Sequence, residues 1–186
     1  MRGWILVGAL AMLPVEQAAA QLGDVGGAIA PPILTAAETA LTSYTAASFS
    51  IQYPQDWQAQ ALGEDDIEIV SGDPTMDIHT QLRLLREDPA DVVSQYIEQL
   101  LADDALVLLY RTVSVDGRSG FRVWLGEQPD PRTGVPKSSL VTFVGYGTQQ
   151  TVQIVSYYDT ETAEAALLEM HDSFTHLAPP DLTESE

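Results

Sequence analysis

A chain of 186 residues, 45% hydrophobic and 19% charged, suits one domain with a substantial core and leaves too little for two. Its 8 Lys and Arg against 27 Asp and Glu give a formal net charge of −19, so phosphate backbones are repelled and nucleic acid is excluded as an expected partner. With no cysteine the chain forms neither disulfides nor thiolate metal sites, and it lacks the acylated Cys of bacterial lipoproteins.

The first stretch reads as a leader. Arg2 precedes an apolar run from Trp4 to Leu13 that is short for a bilayer, Pro14 and Glu16 interrupt it, and Ala18-Ala19-Ala20 offers a signal-peptidase site before Gln21. Residues 1–20 are therefore expected to be a cleaved secretory signal, leaving a mature extracytoplasmic chain with no transmembrane segment. Gln21 to Pro32 is rich in Gly, Ala and Pro and nearly uncharged, the composition of a tether. Thr35-Ala36-Ala37-Glu38 has capping-box spacing, which predicts a short helix from Ala36 to about Thr42 within a flexible linker over residues 21–48.

A domain over residues 49–178 follows. Phe49 to Tyr53 alternates apolar with polar and halts at Pro54, predicting a first strand. Trp57 to Leu62 and Ile67 to Ser71, either side of the turn-like Gly63-Glu64-Asp65-Asp66, predict two more. In Ile78 to Leu85, Ile78, Leu82 and Leu84 share one face, while His79, Gln81 and Arg83 share the other, expected to be wet. Asp88 and Pro89 then fit the start of a helix whose stripe is Val92, Val93, Tyr96, Ile97, Leu100 and Leu101.

Four strands come next. Leu106 to Val115 meets Asp116-Gly117, a hairpin turn, and returns through Phe121 to Leu125; beyond a Pro- and Gly-rich loop, Leu140 to Tyr146 and Thr151 to Tyr158 form a second pair. Their two-faced apolarity predicts a sheet core with the second pair central. A last helix from Asp159 or Thr160 carries the stripe Ala163, Leu167, Met170, Phe174 and Leu177 and stops at Pro179-Pro180, before a disordered acidic tail over residues 179–186. Tight turns make the sheet largely antiparallel and helical stripes are available to cover it, so the expected class is an α+β sandwich.

No residue stands out as catalytic, cofactor-binding or metal-ligating. Asp77 and His79 make a minimal Zn or Mn half-site without further ligands. His171 and His176 lie about 140° apart around a helix, too far for one metal, and are expected at the surface. The acidic groups Glu64-Asp65-Asp66 and Glu161, Glu164, Glu169 with Asp172 lack the spacing of a calcium loop and read as solvated. There is no Gly-x-Ser-x-Gly elbow: Gly117-Arg118-Ser119-Gly120 is hairpin chemistry, and Gly145-Tyr146-Gly147 precedes a strand instead of the helix a phosphate site needs. Trp124 beside Arg122 has the composition of a protein-contact anchor, but helices on both faces would make Trp124 a core residue with Arg122 snorkelling outward.

Phe49-Ser50-Ile51-Gln52-Tyr53-Pro54-Gln55-Asp56-Trp57 resembles the opening strand of PsbP-like domains, where Tyr-Pro leads to a Trp. His171-Asp172-Ser173-Phe174 is similar to the Ser-Phe that closes many of them. The resemblance covers about Phe49 to Leu177. It implies an α/β/α sandwich with a central, largely antiparallel sheet, shared by PsbP, its cyanobacterial relatives, DcrB-type envelope proteins and a Ran-binding nuclear protein. Most are accessory proteins, not enzymes; PsbP is a lumenal subunit supporting calcium and chloride retention at photosystem II. The chain departs from the pattern in lacking the lipobox Cys and in having few Lys or Arg for basic docking. The resemblance implies a non-catalytic accessory or binding protein of the periplasm or thylakoid lumen, without cofactors. Its expected partner is a protein, with photosystem subunits as the specific form. The alternatives are a DcrB-type envelope protein with an unrelated binding role and a secreted hydrolase.

Overall fold

Turn chemistry and alternation set the strand order. The computed structural model describes residues 40–73, 75–159 and 161–177; the expected signal, most of the linker with its capping box, the Pro179-Pro180 stop and the acidic tail lie outside them. In chain order the elements are β1 (Leu41–Thr45), β2 (Phe49–Pro54), β3 (Gln58–Ala61), β4 (Asp66–Val70), β5 (His79–Leu85), α1 (Pro89–Ala102), β6 (Leu106–Val115), β7 (Arg118–Pro129), β8 (Pro136–Gly145), β9 (Thr151–Tyr158), α2 (Glu161–Asp172) and β10 (Thr175–His176). A seven-stranded sheet runs β3-β4-β5-β9-β8-β7-β6 and a three-stranded sheet runs β1-β2-β10. Every pairing described is antiparallel.

The β6–β7 hairpin turns on Asp116 and Gly117 at φ 52° and 70°, the double positive φ that a two-residue turn matched to strand twist requires. Asp88 caps α1 by accepting from the Ala90 N–H at 2.8 Å, and Pro89 occupies the first turn, where a missing N–H costs nothing. Asp104, at φ 50°, ends α1 in the left-handed region and lets the Ala105 N–H reach the Leu100 carbonyl at 2.9 Å.

The large sheet is covered on both sides. On one face α1 places Val92, Val93, Tyr96 and Leu100 over Val123, Leu125, Val141 and Phe143. On the other, α2 and the small sheet place Leu167, Met170, Phe49 and Ile51 with Phe174 over Leu140, Val144, Val152 and Ile154. The result is the expected α/β/α sandwich, with β9 and β8 at its centre.

Four expectations change. Leu41–Thr45 pairs with β2 as a strand where the tail of a short helix was expected; three β-branched or aromatic residues, Thr42, Tyr44 and Thr45, suit a strand better than a helix. The last helix ends at Asp172 instead of running to Leu177, because Ser173 Oγ accepts from the Gln52 N–H at 2.9 Å and donates to the Met170 carbonyl at 2.7 Å. That anchors the chain to β2, and Thr175 and His176 then pair with Ser50 and Phe49. β6 is not core but the outer edge of the sheet, exposed from Leu106 to Tyr110. The α1 stripe is also incomplete, since Ile97 and Leu101 are exposed.

Candidate functional site

Each face of the large sheet holds a buried polar cluster. On the α1 face, β7 and β8 are joined by a loop in which the Asp130 carboxylate accepts from the Arg132 N–H at 2.9 Å. The Gly134 N–H bonds the Asp130 carbonyl at 2.7 Å, with Gly134 at φ 71°. This Asx-type turn fixes a carboxylate in the interior. Lys137, on β8, places its ammonium 2.9 Å from Asp130 Oδ2 and 2.6 Å from Asp77 Oδ2, and it donates to the Asp77 carbonyl at 2.7 Å. Asp77 turns toward it at φ 39°. Next to this pair, His79 sits with Nε2 at 2.8 Å from Glu68 Oε1 and Nδ1 at 3.4 Å from Asp130 Oδ1, its ring stacked on Tyr157 at 5.8 Å. The close approaches at His79 lack hydrogen-bond alignment.

The carboxylates that could have formed a metal cage therefore surround an ammonium group supplied by the chain itself. Burial works against charge on Lys137, but its bonds to Asp77 and Asp130 outweigh this and raise its pKa above 10.5. An amine so held is neither a nucleophile nor a base at neutral pH. Burial also works against charge on Asp130, yet the Arg132 N–H, Lys137 and His79 hold its carboxyl below the ordinary 3.8. Burial lowers the His79 pKa more than Glu68 and Asp130 raise it.

On the α2 face, His171 lies between Thr142 and Ser156: Nδ1 is 2.8 Å from Thr142 Oγ1 and Nε2 is 2.9 Å from Ser156 Oγ. Ser156 Oγ is 2.7 Å from Thr80 Oγ1. Arg122 Nε donates to Thr142 Oγ1 at 2.8 Å, and its Nη2 to Asp172 at 2.6 Å. Arg122 can only donate, so Thr142 Oγ1 accepts from it, and the direction of the bonds from Thr142 through His171 and Ser156 to Thr80 follows the His171 tautomer. Burial, then the charge of Arg122, pushes the His171 pKa well below 6.5, so the ring is neutral. The Ser156–His171 distance suits a nucleophile and its base, but Ser156, His171, Thr80 and Thr142 are all fully buried, where no substrate reaches. Among the described residues no three His, Asp or Glu side chains are placed to hold a metal ion.

Three placements reverse the sequence reading. His171 and His79 are buried, not at the surface or on a wet face, and Arg122 turns inward instead of snorkelling out. Trp124 is in the core as expected, its Nε1 donating to Glu164 at 2.8 Å and the Arg111 guanidinium stacked 4.9 Å from its ring centre. His176 lies elsewhere, stacked on Tyr146 at 4.5 Å beside a groove of about 650 Å³. Asp130, Lys137, Glu68, Thr80, Thr142 and Ser156 were missed. Their signal was in the alternation: Thr80, Thr142 and Ser156 each interrupt an apolar stripe at an inward position, which is where a buried partner is needed.

A run of exposed apolar side chains lies on β6, at the edge of the large sheet. Leu106, Val107, Leu108, Leu109 and Tyr110 are 43–68% exposed, beside Ile97 and Leu101 at the end of α1. Among the described residues no helix is long and apolar enough to cross a membrane.

No protein-family model matches the sequence. No curated protein matches it either. Among solved structures, the fold is similar to cyanobacterial PsbP (CyanoP) from Synechocystis sp. PCC 6803, with a TM-score of 0.50 at 12% identity over 84% of this chain and 99% of that one. It is similar also to LpqN of Mycobacterium tuberculosis, involved in cell envelope biogenesis, with a TM-score of 0.50 at 15% identity over 77% of this chain and 88% of that one. At such identities the likeness is one of fold: the domain has a PsbP-like fold.

Proposed function

We infer that the protein is a non-catalytic accessory or binding protein working outside the cytoplasm. One observation carries this reading: the buried Arg122, Thr142, His171 and Lys137 are hydrogen-bonded or ion-paired within the domain, while Leu106 to Tyr110 of β6, with Ile97 and Leu101 of α1, form a run of exposed apolar side chains. An enzyme needs convergent polar groups at an accessible point; a binding protein needs apolar surface. The likeness to CyanoP supports association with photosystem II or its assembly as the specific form in a photosynthetic source. The likeness to LpqN supports an envelope role as the second reading. Residues 1–20 are proposed to be removed on export, and intact-mass analysis of the exported chain checks this; a mass retaining Met1 refutes it. The role itself is tested by affinity capture of the mature protein from its native membranes. Enriched photosystem subunits support the specific form, and a reproducible set of envelope proteins supports the second. Empty capture together with turnover of an ester, peptide or glycan substrate overturns the accessory reading.

A further inference from the structure

The two edges of the large sheet are built differently. Edge strands are ordinarily blunted by brevity, charge or proline, and β3 conforms: it is four residues, Gln58–Ala61, without a large apolar side chain, followed by the acidic turn Glu64-Asp65-Asp66. β6 has ten residues, and its first five, Leu106 to Tyr110, are apolar or aromatic and exposed. Apolar side chains on both faces are the pattern of a strand covered on both faces, but these five are exposed, and among the described strands β6 pairs only with β7.

The surroundings select the kind of occupant. A groove of about 450 Å³ on the α1 face is lined by Ile97, Leu101, Val107, Tyr110 and Phe121. Another of about 430 Å³ on the α2 face is lined by Leu108, Leu109, Trp124 and Glu164. The register shift between Val107 and Leu109 is a bulge that lets two successive leucines line the same groove. A helix laid on one face would fill one groove and leave the other open. An added strand, whose side chains alternate between faces, enters both and takes up the outward backbone groups of β6.

Charge selects its chemistry. Exposed Glu98, Asp103, Asp104 and Glu127 surround the Leu106 end, and Asp159 and Glu164 stand by the α2-face groove; the only charge within β6 is Arg111. A second copy would bring its own formal charge of −19 to this edge, which opposes self-pairing. Resting on the accessory-protein reading above, we propose that the outer edge of β6 receives an extended segment of a partner protein. This segment alternates apolar side chains, is flanked by Lys or Arg, and adds as an eighth strand.

The test titrates the full mature chain with three nine-residue peptides: alternating Val and Thr between Lys pairs, the same core between Glu pairs, and the Lys-flanked core with a central Pro. The Lys-flanked peptide is expected to bind and to protect backbone amides among residues 106–110 from exchange. It should bind at least about tenfold more tightly than the Glu-flanked one, with the gap narrowing as salt rises. The Pro peptide should lose about tenfold or more, because it cannot complete the ladder. Leu108→Lys should weaken binding by at least about tenfold with an unchanged thermal midpoint; Leu101→Ser, off the strand, gives a second reading should that variant misfold. Absence of binding, protection of amides elsewhere, equal binding of the Pro peptide, or a dimer abolished by Leu108→Lys would each overturn the proposal. If wild type and Leu108→Lys retain the same proteins from native membranes, β6 is not the docking edge and the accessory reading stands.

Discussion

Replacing Lys137 by Met would leave the Asp130 carboxylate in the interior without its ammonium partner. Breaking a buried pair from one side costs about 3–5 kcal/mol, so urea unfolding should show a loss of that size; a loss under about 1 kcal/mol would mean the pair is solvated. Arg is not expected to rescue it, since its planar fork does not fit three oxygens gathered around one nitrogen. At His171 the replacement to test is Leu, which leaves the Thr142 and Ser156 hydroxyls without their shared partner at roughly 1–3 kcal/mol each. These side chains were hard to read from sequence because their partners are far away along the chain: Lys137 and Asp77 are 60 positions apart, Arg122 and Asp172 are 50 apart. The gaps that Thr80, Thr142 and Ser156 leave in their apolar stripes marked where polar partners were needed without saying which residues supply them.

Among the elements, β8 lies between β9 and β7, and Val144 on it is fully buried. Val144→Asp should unfold the domain, by more than about 4 kcal/mol, through an unpaired charge in the core; an unchanged thermal midpoint would refute that placement. The end of β8 also meets the start of α1, since a Cβ on Gly145 would come within 2.7 Å of Pro89 Cγ. Gly145→Ala should therefore displace the first turn of α1 at a cost of about 1–3 kcal/mol. Gly63→Ala, whose nearest neighbour would be Asp66 Cβ at 3.8 Å, should be close to neutral. Strands, turns and the first helix were legible because alternation and turn residues act locally. β6 was legible as a strand but not as an edge: periodicity reports which faces are apolar and cannot tell a strand already covered from one with an open side. The end of α2 was misread because the stripe continues to Leu177 while Ser173, bonded to β2, diverts the backbone.

For the whole molecule, pH dependence follows from the same groups. His79 and His171 have folded pKa values below the 6.5 of the unfolded chain, so below that pH the unfolded state binds more protons. Their stabilising contribution is complete above pH 6.5 and is lost as pH falls through the folded values. Asp130, lowered from 3.8, adds a loss in the same direction at more acid pH. Lys137, raised above 10.5, contributes below that value and loses its contribution as pH rises through the folded one. Thermal midpoints should thus fall from pH 7 to pH 5, and a His171→Gln variant, lacking that titration, should fall less steeply; parallel profiles would show that His171 does not titrate. Lys137 has a further consequence, because it is the sole lysine of the sequence and is buried. The folded domain offers amine-acylating reagents no lysine to modify. Labelling of Lys137 then counts the openings that bring it to solvent, and the rate at which an ester reagent tags it becomes a clock for how often the β7–β8 loop lets go.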